Sequence, residues 1–300
     1  MPTQNNSIVS FNHLEHIHDN VVQQLEELAL ELRKSVIEML TIAGSGHTAG
    51  ALGLAEIYAA LYFYVLKNVD PQKPKNPERD RLLVSNGHTC PILYATLAYR
   101  GYFSKKELKA LRKLDSILQG HPHNLTTPGV ENSGGPLAQG LSQAAGVALA
   151  ALMDNKSYRT YVITGDGELN EGAIWEAAMF AAKYKLANLT WIIDRNNIQI
   201  DGYTQQVMPL ENLREKLEAF NWYVEEINAH NIREFIEACE KAKSIKQRPT
   251  AIIAHSIPGK DVDFMEYKVE WHGMSPDQAQ ANKALQELNI LSGKIRSTHE

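Results

Sequence analysis

The chain has 300 residues, 44% of them hydrophobic and 22% charged, with a formal net charge of −5. That is enough to bury a full core in one large domain or two small ones, and the negative balance leaves no basic field for a nucleic-acid backbone. No apolar run reaches membrane-span length, the N-terminus lacks the basic head and apolar centre of a secretory signal, and Cys90 and Cys239 form neither a CxxC pair nor a disulfide framework, so a cytoplasmic location is expected.

The first twenty residues are polar, and residues 1–20 are expected to form a loose arm. In "NVVQQLEELALELRKSVIEMLTIA", Val21, Leu25, Leu28, Leu32, Val36 and Met39 recur at three- and four-residue steps, the spacing of a helix with one buried stripe. "GSGHTAGALG" breaks it and "LAEIYAALYFYVL" resumes as a second helix, followed by the proline-rich loop "NVDPQKPKNPERD". "RLLVS" reads as a short buried strand that "NGH" turns into the helix "PILYATLAYRG". Ser104 and Glu107 have the spacing of a capping box for a helix over "KKELKALRKL". The long loop "QGHPHNLTTPGVENSGG" leads to the helix "PLAQGLSQAAGVALAALM", with Pro136 suited to its first turn. Then follow strand "RTYVIT", helix "EGAIWEAAMFAAKYK", strand "LTWIID", helix 211–219, strand "WYVEEI", helix 231–245, strand "TAIIAH", and a tail helix over 276–290. Strands alternating with helices of this length predict an α/β fold, a parallel sheet with helices on both faces. The simplest parse is one domain over 21–275, with a C-terminal helix and tail over 276–300.

"TGDGELNEG" places Asp166 between two glycines directly after a strand, and "DRNNIQIDG" places Asn196 after the next one. In an open parallel sheet, ligands collect at the carboxyl ends of strands, so two neighbouring strands would bring these side chains together. A carboxylate, an amide oxygen and a nearby carbonyl are hard donors that suit a magnesium- or calcium-like ion and suit zinc poorly. The glycines admit close approach of a bulky ligand, and a helix starting near Glu171 would turn free N–H groups toward an anion. Together these features suggest a diphosphate clamped through its cation. "GDGELN" lacks the third glycine of the dinucleotide fingerprint, and no GxxxxGK[ST] occurs. The bland alternative is a turn in which Asp166 merely caps a helix.

"GDGELNEG" followed by "DRNNIQIDG" resembles the thiamine-diphosphate motif. The resemblance implies a metal held by Asp166, Asn196 and the carbonyl of Ile198. It also puts Gly167, through its N–H, at the cofactor diphosphate, and Glu168 among the cofactor-binding residues. Of 11 histidines, four lie beside glycine in loops: His47 in "SGHTAG", His88 in "SNGHT", His121 in "QGHPH" and His272 in "EWHGM". Imidazole exchanges protons near neutrality and bonds hydroxyls or phosphate oxygens. These stretches, with "RDRLLVSNGH" and "GVENSGGPLAQG", resemble the N-terminal part of transketolase, in that family's order, from about residue 20 to 290.

The resemblance implies a thiamine-diphosphate-binding (PP-type) fold with Mg2+, or Ca2+ or Mn2+, as the ion. His47 and His121 would contact the donor sugar, while His88 and His272 would lie near diphosphate and substrate, with His272 among the catalytic residues. Gly135 and Leu137 would line the aminopyrimidine side. Glu171 and Glu176 match acids buried between two cofactor sites of a dimer, and read equally as first-turn carboxylates favoured by the helix dipole. Thr48 and Ala138 depart from the family's usual Pro and Gly. The N-terminal histidines of "HLEHIH" match nothing and read as a solvated arm or a metal-binding tail.

Transketolases run to more than twice this length, and the catalytic glutamate and the grip on the substrate phosphate lie in their later part. The resemblance is therefore to the N-terminal subunit of a split transketolase, inactive alone. Its expected partner is a C-terminal subunit carrying the pyrimidine-binding domain and that glutamate, in an α2β2 heterotetramer. The pair would transfer a two-carbon ketol unit between sugar phosphates, as in pentose phosphate metabolism. Alternatives are the alpha chain of a 2-oxo-acid dehydrogenase, a deoxyxylulose-phosphate synthase type, or a non-catalytic thiamine-diphosphate-binding scaffold.

Overall fold

The computed structural model describes residues 17–299, so most of the expected arm over 1–20, with His13 and His16, lies outside the described residues. The chain opens with α1 (Asp19–Ala43), α2 (Ala49–Gly53) and α3 (Ala55–Ala60). After β1 (Arg81–Val84) come α4 (Cys90–Arg100) and α5 (Gln139–Met153). Next are β2 (Thr160–Gly165), α6 (Gly172–Lys183) and β3 (Leu189–Arg195), then a hairpin of β4 (Ile198–Gln199) and β5 (Gly202–Tyr203). The remainder is α7 (Thr204–Val207), α8 (Leu213–Ala219), β6 (Tyr223–Asn228), α9 (Ile232–Ser244), β7 (Thr250–His255) and α10 (Gln278–His299).

Five strands pair in the order β1-β2-β3-β7-β6, each pair parallel. Their side chains alternate between two cores, as the period of a strand requires. Leu82, Val84, Tyr161, Ile163, Ile192 and Ile252 pack with α1, α3, α4 and α9. Leu83, Val162, Trp191, Ile193, Ala251 and Ile253 pack with α5, α6 and α8. The predicted α/β fold with both faces of the sheet covered is the observed one, and every predicted sheet strand is present. The stripe of α1 is also as read: Leu25, Leu32, Val36 and Met39 are buried, and Val21 and Leu28 pack against the same core. Gly44 ends α1 in the left-handed region (φ 66°), donating its N–H to Leu40 O. No helix among the described residues is long and apolar enough to cross a membrane.

Four local expectations are corrected. The second helix is broken into α2, α3 and a wide turn at Leu61–Val65. Ser104 caps only a 3-10 turn, Lys105–Ala110, accepting from Lys106 N at 3.3 Å; Glu107 N bonds the Ser104 carbonyl instead. Pro136 lies ahead of α5, which starts at Gln139 because Ala138 takes a left-handed conformation (φ 68°) that a helix cannot include. The tail helix extends to His299, and its Ala281, Ala284 and Leu288 are buried in the core that holds α1.

Candidate functional site

β2 and β3 are neighbours, with Gly165 opposite Asp194, so the residues that follow each strand emerge side by side. Asp166 and Asn196 both line one cavity of about 440 Å³ at the carboxyl ends of the strands. Asp166 is 1% exposed. Its Oδ2 accepts from Arg195 Nη1 and from Asn197 N, each at 2.7 Å, while its Oδ1 is buried with no partner. Burial pushes the Asp166 pKa up, against the pull of Arg195 and the neighbouring N–H groups.

The Asn196 amide has a fixed orientation. Its Nδ2 donates to Asp194 Oδ2 at 2.8 Å, and its Oδ1 accepts from Ile198 N at 3.0 Å with one lone pair to spare. Asp194 is fully buried and its other oxygen accepts from Ser256 Oγ, and burial raises its pKa to about 7. This is the arrangement by which an outer carboxylate orients an inner ligand. Among the described residues no three His, Cys, Asp or Glu side chains gather to hold a metal. The orphaned Asp166 oxygen and the oriented Asn196 oxygen, with Ile198 in the same cavity wall, nevertheless fit a hard divalent ion completed by ligand oxygens.

Gly167 begins a 3-10 turn, Gly167–Asn170, which separates β2 from α6. The N–H groups nearest Asp166 therefore belong to this turn, and α6 starts only at Gly172. Glu168 lines the cavity, yet both its oxygens are engaged. Oε2 accepts from Ser85 Oγ at 3.0 Å and Ala138 N at 2.8 Å, and Oε1 accepts from Gly165 N at 3.0 Å. Glu168 thus ties together the ends of β1 and β2 and the start of α5, and burial pushes its pKa to about 7.

His47, His88 and His272 close a triangle across the same cavity, with ring centroids 4.9, 5.7 and 5.3 Å apart, and His121 lies on its wall. His47 reaches it from the turn between α1 and α2, His88 from the turn after β1, and His272 from the loop after β7. Gly87 makes the β1 turn possible: a Cβ there would lie 3.0 Å from Gly135 N and 3.1 Å from Gly134 Cα, so the two loops touch backbone to backbone. Burial lowers all four imidazole pKa values, that of His47 to about 4 with further pushes from His272, Arg112 and His121. The rings are therefore neutral near pH 7 and able to accept a proton. Nδ1 of His47 and of His272 are buried without partners.

Gly135, Leu137 and Glu171 also line the cavity, together with Asn170, Gln199 and Ile200, which sequence reasoning did not single out; Glu176 is exposed on α6 and is not part of the lining. Of the two departures, Thr48 is fully buried and its Oγ1 donates to Met274 O at 2.6 Å, locking the His47 turn onto the His272 loop. Sequence reasoning missed Asp194, Arg195, Ser85 and Ser256. Asp194 and Arg195 had a signal, two charges at the inner end of an apolar strand, whereas Ser85 and Ser256 had none. A second cleft, of about 540 Å³, borders Arg79, Tyr102 and Glu131 but contains none of the orphaned polar atoms found among the described residues.

The sequence model of the transketolase thiamine diphosphate binding domain matches residues 25–290. The 6-deoxy-6-sulfo-D-fructose transketolase subunit SqwG of Clostridium sp. (strain MSTE9) is 43% identical over 264 residues, covering 88% of this chain and 96% of that one. An apulose-4-phosphate transketolase subunit from Phocaeicola vulgatus is 40% identical over 274 residues, covering 91% and 97%. The crystal structure of transketolase from Campylobacter jejuni superposes with a TM-score of 0.79 at 30% identity, over 91% of this chain but 48% of that one. The chain thus spans nearly the whole of the two subunits and about half of the longer enzyme.

Proposed function

We propose, on the premise that the chain belongs to the transketolase family, that it is the diphosphate-binding subunit of a split transketolase, active with a second chain that supplies the pyrimidine-binding domain. The observation that carries the reading is the convergence on one cavity of an orphaned Asp166 oxygen, an oriented Asn196 oxygen and three neutral histidines. When bound, thiamine diphosphate supplies the carbanion chemistry by which a two-carbon ketol unit passes from a ketose to an aldose.

Asp166 Oδ1, Asn196 Oδ1 and the Ile198 carbonyl would hold a divalent cation, magnesium being the ion best suited to oxygen donors plus phosphate. The Gly167 N–H would bond the diphosphate. His47 and His121, neutral and at the cavity wall, would accept and return protons at the sugar hydroxyls. His88 and His272, more enclosed, would bond the diphosphate side and help exclude water. Gly135 and Leu137 would support the aminopyrimidine side.

Two features support a partner chain. The relatives of equal length are named as transketolase subunits, and Leu152, Met153, Met179, Phe180 and Tyr184 stand exposed on and beside α5 and α6, an apolar surface of the kind interfaces cover. We assign the assembly as α2β2, with Glu171 and Glu176 close to the contact between chains and sugar phosphates as substrates. The test is a ketol-transfer assay with thiamine diphosphate and Mg2+. Each chain alone should be inactive and the mixture active, and Asp166→Ala should abolish the activity. Full turnover by this chain alone would refute the split reading.

A further inference from the structure

We propose that Arg195 weakens the cation site for a bare divalent ion about tenfold, so that the ion binds chiefly in company with a diphosphate. The inference rests on the reading of Asp166 and Asn196 as cation ligands and adds a residue that acts on them. Arg195 ends the cavity strand β3, and its side chain is 3% exposed. It donates through Nη1 to Asp166 Oδ2 at 2.7 Å and to Thr204 Oγ1 at 2.8 Å, and through Nη2 to Glu211 Oε1 at 2.6 Å.

The cation site therefore contains a single carboxylate, and a buried guanidinium already neutralises it. Of the other acids nearby, Glu171 also lines the cavity but is exposed, where water and salt screen it, and the rest face elsewhere. Asp194 is bonded to Asn196 Nδ2 and Ser256 Oγ, and Glu168 to three protein donors. Glu211 lies beyond Arg195 with its side chain 56% exposed, where water and salt screen it. What remains for a bare ion is one orphaned carboxylate oxygen and neutral oxygens facing a fixed positive charge. A magnesium-like ion gives up its water reluctantly and binds such sets weakly unless phosphate oxygens join them. A diphosphate brings the missing negative charge and the missing ligands at once, so the two bind as a pair.

The test uses the full chain and counts protein-bound manganese(II) by equilibrium dialysis, with manganese(II) alone and with manganese(II) plus thiamine diphosphate. At manganese(II) concentrations too low to fill the bare wild-type site, wild type should retain the ion only with thiamine diphosphate present. Arg195→Gln should bind manganese(II) alone about tenfold more tightly than wild type, because the repulsive charge is gone. Arg195→Lys, which keeps the charge, and Glu211→Gln, which removes the outer partner but not the guanidinium, should both behave as wild type. Circular dichroism checks that each variant is folded, and the wild-type comparison stands without any variant. Equal uptake by wild type in both conditions, or a folded Arg195→Gln with no gain, overturns the proposal while leaving the site reading intact. No uptake by wild type in either condition overturns both.

Discussion

Asp166 and Arg195 are predicted to be coupled in the stability of the ligand-free chain, and a double-mutant cycle measures that coupling directly. Both side chains are almost fully enclosed, 1% and 3% exposed, and 2.7 Å apart. Breaking a buried pair by removing one partner costs about 3–5 kcal/mol, because the survivor is left as an uncompensated charge. Arg195 would keep Thr204 and Glu211 as partners after Asp166→Asn, which puts that variant at the lower end, about 3 kcal/mol. In Arg195→Gln, Asp166 keeps backbone N–H groups as its remaining support, for a similar loss. Asp166→Asn with Arg195→Gln leaves two neutral amides able to bond each other, so the double variant should lose far less than the two singles together. The expected coupling energy is about 3 kcal/mol. Urea unfolding of the four proteins followed by circular dichroism gives it, provided the m-value is unchanged. A coupling below about 0.5 kcal/mol, the range of independent sites, would mean that the pair is not formed as described.

Other outcomes follow from the same geometry. Gly140→Ala would put a Cβ 2.4 Å from Ser85 Cβ and 2.7 Å from Ser85 Cα, so a loss of about 1–3 kcal/mol and a lowered Tm are expected by calorimetry. Ala138→Gly should leave stability within about 1 kcal/mol of wild type in the same assay, because relief of the left-handed backbone (φ 68°) is offset by loss of a methyl that is 1% exposed in the core. His47 should titrate near 4 rather than 6.5 in an NMR pH series. Its folded value lies below the unfolded one, so its contribution to stability is complete above 6.5 and is lost as pH falls toward 4.

The alternation of apolar strands and helices gave away the sheet, because a strand buried on both faces reads as a near-continuous apolar run, as in "TYVIT" and "LTWII". Asp166 and Asn196 were legible because each follows such a run in a turn at the carboxyl end of a strand, thirty residues apart, where ligands of a parallel sheet collect. The triangle of His47, His88 and His272 was legible as residues but not as geometry. The three come from turns far apart in sequence, and only the order of strands brings them to one end of the sheet. The Arg195–Asp166 pair and the Asp194–Asn196–Ser256 chain stayed hidden because they depend on how β3 lies beside β2 and β7, with Arg195 opposite His255. The misplaced start of α5 has a local cause. Pro136 suits a first helical turn, but Ala138 takes a left-handed conformation to deliver its N–H to Glu168, a demand set by a residue thirty positions later.

The proposed chemistry depends on an ion at the ends of β2 and β3. Crystals of this chain with its partner, grown with manganese(II) and thiamine diphosphate, offer the sharpest test through anomalous scattering. A manganese peak bridging Asp166 Oδ1, Asn196 Oδ1 and the Ile198 carbonyl to diphosphate density is the predicted result. Cofactor density bound elsewhere, with no peak beside these three residues, would contradict it.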